Sequence, residues 1–362
     1  IPVVSGGVIR SPEIAYELIR SQQADFVFVG RSLIADSEWV NKAREGQAED
    51  IRPCIMCNNC IENSFKGVAT DCTVNPWVGR ERLHCPSTSN SKNTRVVIVG
   101  SGPAGMQAAL SCQRLGLQAT LLEKEAELGG MLNIAAIPPF KQRIALLRDY
   151  LIKRLKENRV EIILNKYCNA EELKSIPSDY LVVATGSKAL LPRIDGWDDK
   201  FCWSLRDILN RKIELQNKRV VIIGGGRSGC ELADFLLINR NRITIVEARE
   251  ILAAGMEKKN RRDMMDRLQN GGVIKKTSSQ AVQIKPGQVE IENQNGTPEI
   301  LAADYIVMAA GFIPDNELYL SNQEQGKPVY LIGDAYGIGG IKQALLQGEM
   351  LAQSIARISC KE

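Results

Sequence analysis

TRVVIVGSGPAG (94–105) and KRVVIIGGGRSG (218–229) are two copies of one pattern, a β-branched apolar run that closes on G-x-G-x-x-G. A helix-like segment follows each, MQAALSCQRLG and CELADFLLINR, and then a strand ending in an acid: QATLLEK with Glu123 and RITIVEA with Glu247. The interval from first glycine to glutamate is 23 residues in both copies. Strand, glycine turn, helix and acid-tipped strand together make the βαβ dinucleotide-binding unit. Gly100 and Gly224 allow the tight turn, and Gly102 and Gly226 let backbone approach a pyrophosphate. Gly105 and Gly229, with Ala104 beside the first, let helix and strand pack closely. The helix N-terminus offers free N–H groups to phosphate, and the glutamate accepts hydrogen bonds from a ribose. One such loop is weak evidence; two complete units at matched spacing predict an α/β fold with two Rossmann-like three-layer domains.

Two units in one chain call for two nucleotides, one site for FAD and one for a nicotinamide nucleotide. YLVVATGS (180–187) and YIVMAAGFIPD (305–315) each add a short apolar strand closing on glycine. VYLIGDAYGIGGIKQALLQGEMLAQSI (329–355) then reads as a strand, an aspartate and a glycine turn into a helix. With these pieces the sequence resembles the flavoprotein reductases of the thioredoxin reductase and glutathione reductase superfamily. The resemblance implies an NAD(P)H-binding domain (194–311) inserted in an FAD-binding domain (86–193 and 312–362). It implies that Gly333 lets the flavin chain pass and that Asp334 bonds its ribityl or pyrophosphate region. It also puts Gly129 and Gly130, in ELGGMLNIAAIPPFK (127–141), against the flavin portion of FAD, where plain packing is the competing reading. Glu247 favours the free ribose hydroxyls of NADH over the 2′-phosphate of NADPH, with Arg242 and Arg249 near enough in sequence to temper that preference.

A second signal is CIMCNNCIENSFKGVATDC (54–72), which places Cys54, Cys57, Cys60 and Cys72 in the pattern C-x2-C-x2-C-x11-C. The other six of the ten cysteines are scattered and read as small core residues. Disulfides are disfavoured in a chain with no secretory signal. Zinc stays open, although its structural sites usually show two separated pairs. Three cysteines in one run with a fourth nearby look more like an iron–sulfur cradle, and Asn75-Pro76 just beyond should turn the chain and help bury it. The single histidine, His84, leaves imidazole chemistry almost nothing to work with.

Upstream, IPVVSGGVIRSPEIAYELIRSQQADFVFVGRSLIADSEW (1–39) reads as strand, Gly-Gly turn, helix, strand, Gly-Arg and helix. That is the form of the last βα units of a (β/α)8 barrel, where loops after the final strands commonly bind phosphate. Gly6, Gly7, Gly30 and Arg31 are the candidates for an FMN phosphate. Residues 1–50 are thus read as a barrel remnant and 51–85 as a four-cysteine iron–sulfur segment.

VSGG, VGRSLIAD, the cysteine run with CTVNP and the two fingerprints, in that order, carry a more specific resemblance. The chain resembles the iron–sulfur flavoenzymes related to 2,4-dienoyl-CoA reductase, enoate reductase and trimethylamine dehydrogenase. These join an old-yellow-enzyme barrel with FMN to a [4Fe–4S] cluster and then to the two-domain module. The resemblance covers essentially the whole chain, and it implies that a longer protein precedes Ile1. Its cysteine spacing matches neither branch of the family fully, so it indicates no branch. In the reductase branch electrons run from NADH or NADPH through FAD, cluster and FMN to an activated C=C bond. In the dehydrogenase branch they leave the barrel, and ADP fills the second nucleotide site of an electron-relay module. For this chain the expectation is the electron-input half of a reductase, competent as a diaphorase but not with an enoyl substrate. A likeness to the glutamate synthase small subunit is countered by the barrel-like segments. A thioredoxin-reductase-like disulfide enzyme is countered by the lack of C-x2-C in either nucleotide domain.

Composition narrows the partners. A net charge of +4 over 362 residues gives no basic footprint for nucleic acid. No apolar run reaches eighteen residues, so no membrane span is expected, and the cysteine usage suggests a cytoplasmic protein. Unpaired strand surface in the barrel remnant raises the prospect of a homo-oligomer. MEKKNRRDMMDRLQNGG (256–272) alternates charge at helical spacing and reads as a solvated helix face, and CPSTSNSKN (85–93) as a linker.

Overall fold

The computed structural model describes residues 1–83, 93–323 and 326–360. His84, Cys85 and nearly all of the 85–93 linker lie outside those residues. The described chain divides into two compact units, one of Ile1–Asn133, Arg143–Ser187 and Pro314–Glu362, the other of Ile134–Gln142 and Lys188–Ile313.

The first unit is built on a five-stranded parallel sheet. Its strand order is Val329–Leu331, Tyr180–Val183, Arg95–Val99, Gln118–Leu122, Glu161–Ile163. Central parallel strands covered on both faces need apolar side chains at every position, and Val96, Val97, Ile98 and Val99 are all buried. Helix Pro103–Arg114 starts with proline at its first position, where the missing N–H costs nothing. The C-terminal helix Gly340–Ser359 packs against it closely enough that a Cβ on Gly348 would stand 2.5 Å from the Ala104 carbonyl oxygen.

Between these two helices lies a fully buried carboxylate, Glu349. It accepts from Ser111 Oγ at 2.6 Å, Arg114 NH2 at 2.5 Å, Gln107 Nε2 at 3.0 Å and Gln353 Nε2 at 3.1 Å. A buried charge is tolerable only when so many donors answer it. Replacing Glu349 by alanine would strand several of them, so Glu349→Ala should destabilise this unit by about 3 kcal/mol. Thermal unfolding measures this, and an unchanged melting temperature would contradict it.

The second unit repeats the sheet. Its parallel order is Cys202–Ser204, Tyr305–Met308, Arg219–Ile223, Arg242–Val246, Ile274–Lys276, so each fingerprint strand holds the central place in its own sheet. An antiparallel ladder of Ser279–Lys285, Gln288–Asn293 and Pro298–Ala302 is added to it. Residues 134–142 belong here although both flanking stretches belong to the first unit. Lys141 Nζ lies 2.5 Å from Glu231 Oε1, and the Arg267 guanidinium sits 4.5 Å from the Phe140 ring centre. The alternating-charge stretch forms the helix Lys258–Asn270, which buries Met264 and Leu268 and leaves its charged face to solvent.

The N-terminal segment holds two parallel strands, Val4–Gly6 and Phe26–Phe28, with helices Pro12–Arg20, Arg31–Ala35 and Trp39–Arg44. Its strands are not covered: Phe26 and Phe28 are 59% and 66% exposed. No helix among the described residues is long and apolar enough to cross a membrane. Of the scattered cysteines, Cys112, Cys168, Cys202 and Cys230 are buried and Cys360 is half-buried.

Candidate functional site

The two glycine loops have one geometry built twice. A Cβ on Gly105 would lie 1.9 Å from the Gly100 carbonyl oxygen, and one on Gly229 the same 1.9 Å from that of Gly224. Gly100 and Gly224 both have positive φ, +103° and +108°, which an L side chain rarely adopts. Their Cβ atoms would meet Ala184 O at 2.4 Å and Ala309 O at 2.3 Å. Gly102 and Gly226 differ in kind, because a Cβ on either would meet nothing within 4 Å. Each second glycine therefore faces open space at the N-cap of its helix, where backbone amides are free to meet an anion.

The two acidic residues close their loops. Glu123 Oε2 accepts from Ser101 N at 2.8 Å and Ser101 Oγ at 2.6 Å, and its Oε1 accepts from Glu125 N at 2.9 Å. Glu247 accepts from Gly225 N at 2.6 Å and Arg249 N at 2.9 Å. Both carboxylates thus tie the tip of the second strand to the residue between the first two glycines. Glu123 is buried and Glu247 half-exposed. Arg242 opens the strand whose far end leads to Glu247, about 16 Å away at the rise of an extended chain. Of the two arginines expected to temper Glu247, only Arg249 is at the same end.

The remaining flavin candidates gather in the first unit. Gly130 has φ +52°, and its Cβ would touch Gly102 Cα at 3.1 Å, while Gly129 N donates to Ser101 O at 3.1 Å. The 127–131 turn therefore rests on the first glycine loop. Gly333 has φ +68°, and a Cβ there would stand 2.8 Å from Ala104 Cβ. Its amide donates to Gln347 Oε1 at 2.6 Å. Asp334 Oδ1 accepts from Gly339 N at 3.0 Å and Gly340 N at 3.2 Å, so it holds the turn that starts the last helix.

All four clustered cysteines line one hollow, together with Arg31, Asn58 and Thr73. Met56 and Asn58 take left-handed φ values of 59° and 62°, a strained choice for methionine, and these reversals wind C-I-M-C-N-N-C round the hollow. Burial pushes the Cys72 thiol up to about 11 and raises Cys54 and Cys60 as well. Cys57 Sγ lies 3.1 Å from Thr73 Oγ1. None of the four is in a disulfide, and among the described residues no three Cys, His, Asp or Glu side chains are placed to share a single ion.

Supports for this hollow come from several parts of the first unit. Arg143 Nε donates to Cys54 O at 2.6 Å. Arg52 NH1 donates to Val74 O at 3.1 Å, and Asn75 Nδ2 donates to Ile34 O at 3.3 Å, so the turn at Asn75-Pro76 is anchored to the N-terminal segment. Gly6 ends one N-terminal strand and Gly7 follows it, and Gly30 caps the helix after the neighbouring parallel strand. Arg31, next to Gly30, reaches towards the cysteine segment. Its NH1 donates to Asn58 Oδ1 at 2.5 Å at the edge of the cysteine hollow. Sequence reading also passed over Arg143, Asp71 and Lys342, whose signal lies in contacts remote along the chain.

Residues 94–342 match the family model described as pyridine nucleotide-disulphide oxidoreductase. The NADH oxidase of Thermoanaerobacter brockii is 39% identical over 361 residues, which are 98% of this chain and 56% of that protein. The cinnamate reductase of Clostridium sporogenes is 32% identical over 98% of this chain and 53% of its own length. A solved 2-naphthoyl-CoA reductase superposes with a TM-score of 0.91 at 27% identity, over 97% of this chain and 54% of that one. The chain spans about half the length of the relatives it matches. A doubled glycine loop, its acid tether and these likenesses agree: the chain belongs to the pyridine nucleotide-disulphide oxidoreductase family, among flavoenzymes of the enoate reductase and trimethylamine dehydrogenase type.

Proposed function

We propose that this chain is the electron-input part of an NADH-dependent iron–sulfur flavoprotein oxidoreductase, with FAD in the first unit and NADH in the second. The observation that carries the reading is the duplicated loop, whose second glycine faces open space in both units while the first and third are closed by backbone. Such a loop serves a pyrophosphate, and two of them serve a pair of nucleotides. When bound, the nicotinamide supplies a hydride, FAD divides it into single electrons, and a [4Fe–4S] cluster carries them one at a time.

The chain's own residues would do the following. Amides at the starts of helices Pro103–Arg114 and Arg227–Leu237 hold the two pyrophosphates. Glu123 and Glu247 keep each loop rigid and present a carboxylate edge to a ribose. Gly129, Gly130 and Gly333 keep the flavin's path clear of side chains. Cys54, Cys57 and Cys60 from one short run, with Cys72 from beyond it, supply four thiols round one hollow. That arrangement fits a cluster with one thiolate per iron better than a tetrahedral zinc.

In the full-length protein, FMN would sit where Gly6, Gly7 and Gly30 end two adjacent parallel strands. The uncovered Phe26 and Phe28 suit further barrel strands, or a second copy of the chain, as their partner. The substrate class this implies is an activated C=C bond such as an enoyl or dienoyl thioester, acting in a reducing cytoplasm.

An anaerobic titration with NADH, followed by the flavin absorbance, tests the proposal. We expect full bleaching at one equivalent of hydride per flavin and further uptake for the cluster. Flavin that ignores NADH would overturn it in favour of a relay module with ADP in the second site.

A further inference from the structure

Lys342 stands in the first turn of the helix Gly340–Ser359, an end where the helix dipole disfavours a cation. Its ammonium is directed away from the helix, to Asp71 Oδ2 at 2.9 Å and Asn59 Oδ1 at 3.3 Å. Asp71 Oδ1 also accepts from Asn59 Nδ2 at 2.5 Å and Asn63 Nδ2 at 2.7 Å, and Asn59 Nδ2 reaches the Asp71 carbonyl at 3.2 Å. Asn59 and Asp71 each immediately precede a clustered cysteine, Cys60 and Cys72. The helix that carries Lys342 begins at the turn held by Asp334. One ammonium therefore joins the flavin-side turn to both halves of the cysteine hairpin. Stability alone explains this poorly, because the Lys342 and Asp71 side chains are still 30% and 23% exposed and such pairs contribute about 1 kcal/mol at most.

We propose that Lys342 is a positioning residue for the iron–sulfur site. It clamps Cys60 and Cys72 at the separation the cluster needs, ties that site to the Asp334 turn, and balances the Asp71 carboxylate next to Cys72, a negative charge that would otherwise disfavour the reduced cluster. The inference rests on the cluster reading above and adds a residue far from the cysteines in sequence.

The test uses the protein loaded with FAD and cluster, as wild type, Lys342→Gln and Lys342→Arg. Two quantities are measured: the rate at which a ferrous chelator removes iron, and the cluster's reduction midpoint in a titration followed by electron paramagnetic resonance. Partners that orient metal ligands typically matter about 10-fold or more, so Lys342→Gln should release iron about 10-fold faster. Loss of a nearby positive charge should also lower its midpoint, a change that a purely mechanical clamp would not produce. Lys342→Arg should restore both, which excludes general misfolding. Iron release and midpoint equal to wild type in Lys342→Gln would overturn the inference while leaving the cluster reading standing. A wild-type protein that holds no iron or sulfide would overturn both.

Discussion

Cys72→Ala should leave the protein with no iron while its flavin stays and NADH still bleaches it. Cys54, Cys57 and Cys60 come from one short winding segment, whereas Cys72 reaches the hollow from the far side of a hairpin held by Asn59, Asn63 and Asp71. Without Cys72 the hollow keeps three thiols on one side and opens on the other. On the proposed reading, a cubane held there would have one iron with no thiolate and would be lost to solvent. The first glycine loop, Glu123 and the Gly129-Gly130 turn make no bond to Cys72, so flavin binding should persist. Cys112→Ala is the control. Its thiol, pushed up to about 12 by burial and the nearby Glu349 carboxylate, is an inert core group, and its loss should leave the iron content unchanged. Iron and sulfide analysis of both variants decides the point; a Cys72→Ala protein with full iron would remove Cys72 from the ligand set.

The second large effect separates two glycines three residues apart. In Gly229→Ala the new methyl meets the Gly224 carbonyl oxygen at 1.9 Å. That atom is backbone just past the end of the central strand, held by its own tight turn, and cannot step aside. Overpacking of this kind costs about 3 kcal/mol or more, so the second unit should lose its cooperative melting transition and its NADH response together. Gly226→Ala meets nothing within 4 Å, and at a helix N-cap the change should cost about 1 kcal/mol or less. Its methyl instead occupies the space a pyrophosphate needs, and lost close contacts of this sort raise the NADH dissociation constant by about 10-fold or more. Thermal unfolding paired with NADH titration reads both. A Gly226→Ala protein that binds NADH as the wild type does would mean that this glycine does not face the nucleotide.

Much of this was legible from residue order because its causes are local. A glycine followed by two more at fixed spacing, flanked by a β-branched run and a helix, constrains backbone within a few residues of itself. Four cysteines within nineteen residues announce a shared hollow for the same reason. The parallel pairing of the strands Val4–Gly6 and Phe26–Phe28 was likewise readable from two similar βα stretches.

Contacts between distant segments were not legible. Nothing near Arg31 in sequence indicates that its guanidinium turns to Asn58 and the cysteines. Residues 134–142 look continuous with the Gly129-Gly130 turn before them, yet Lys141 and Phe140 find their partners, Glu231 and Arg267, in the second unit. Arg242 and Glu247 are five positions apart, but a strand is straight and puts them at opposite ends.

By itself the sequence determined the two dinucleotide folds, the acids that tip their second strands and the four-thiol set, since each follows from steric and hydrogen-bonding demands inside one short segment. The tertiary structure alone decided which cations surround those thiols and how the hairpin is joined to the Asp334 turn. Lys342 and Asp71 lie 271 positions apart. A pairing over that separation is made by the packing of whole helices and strands, and no local pattern records it.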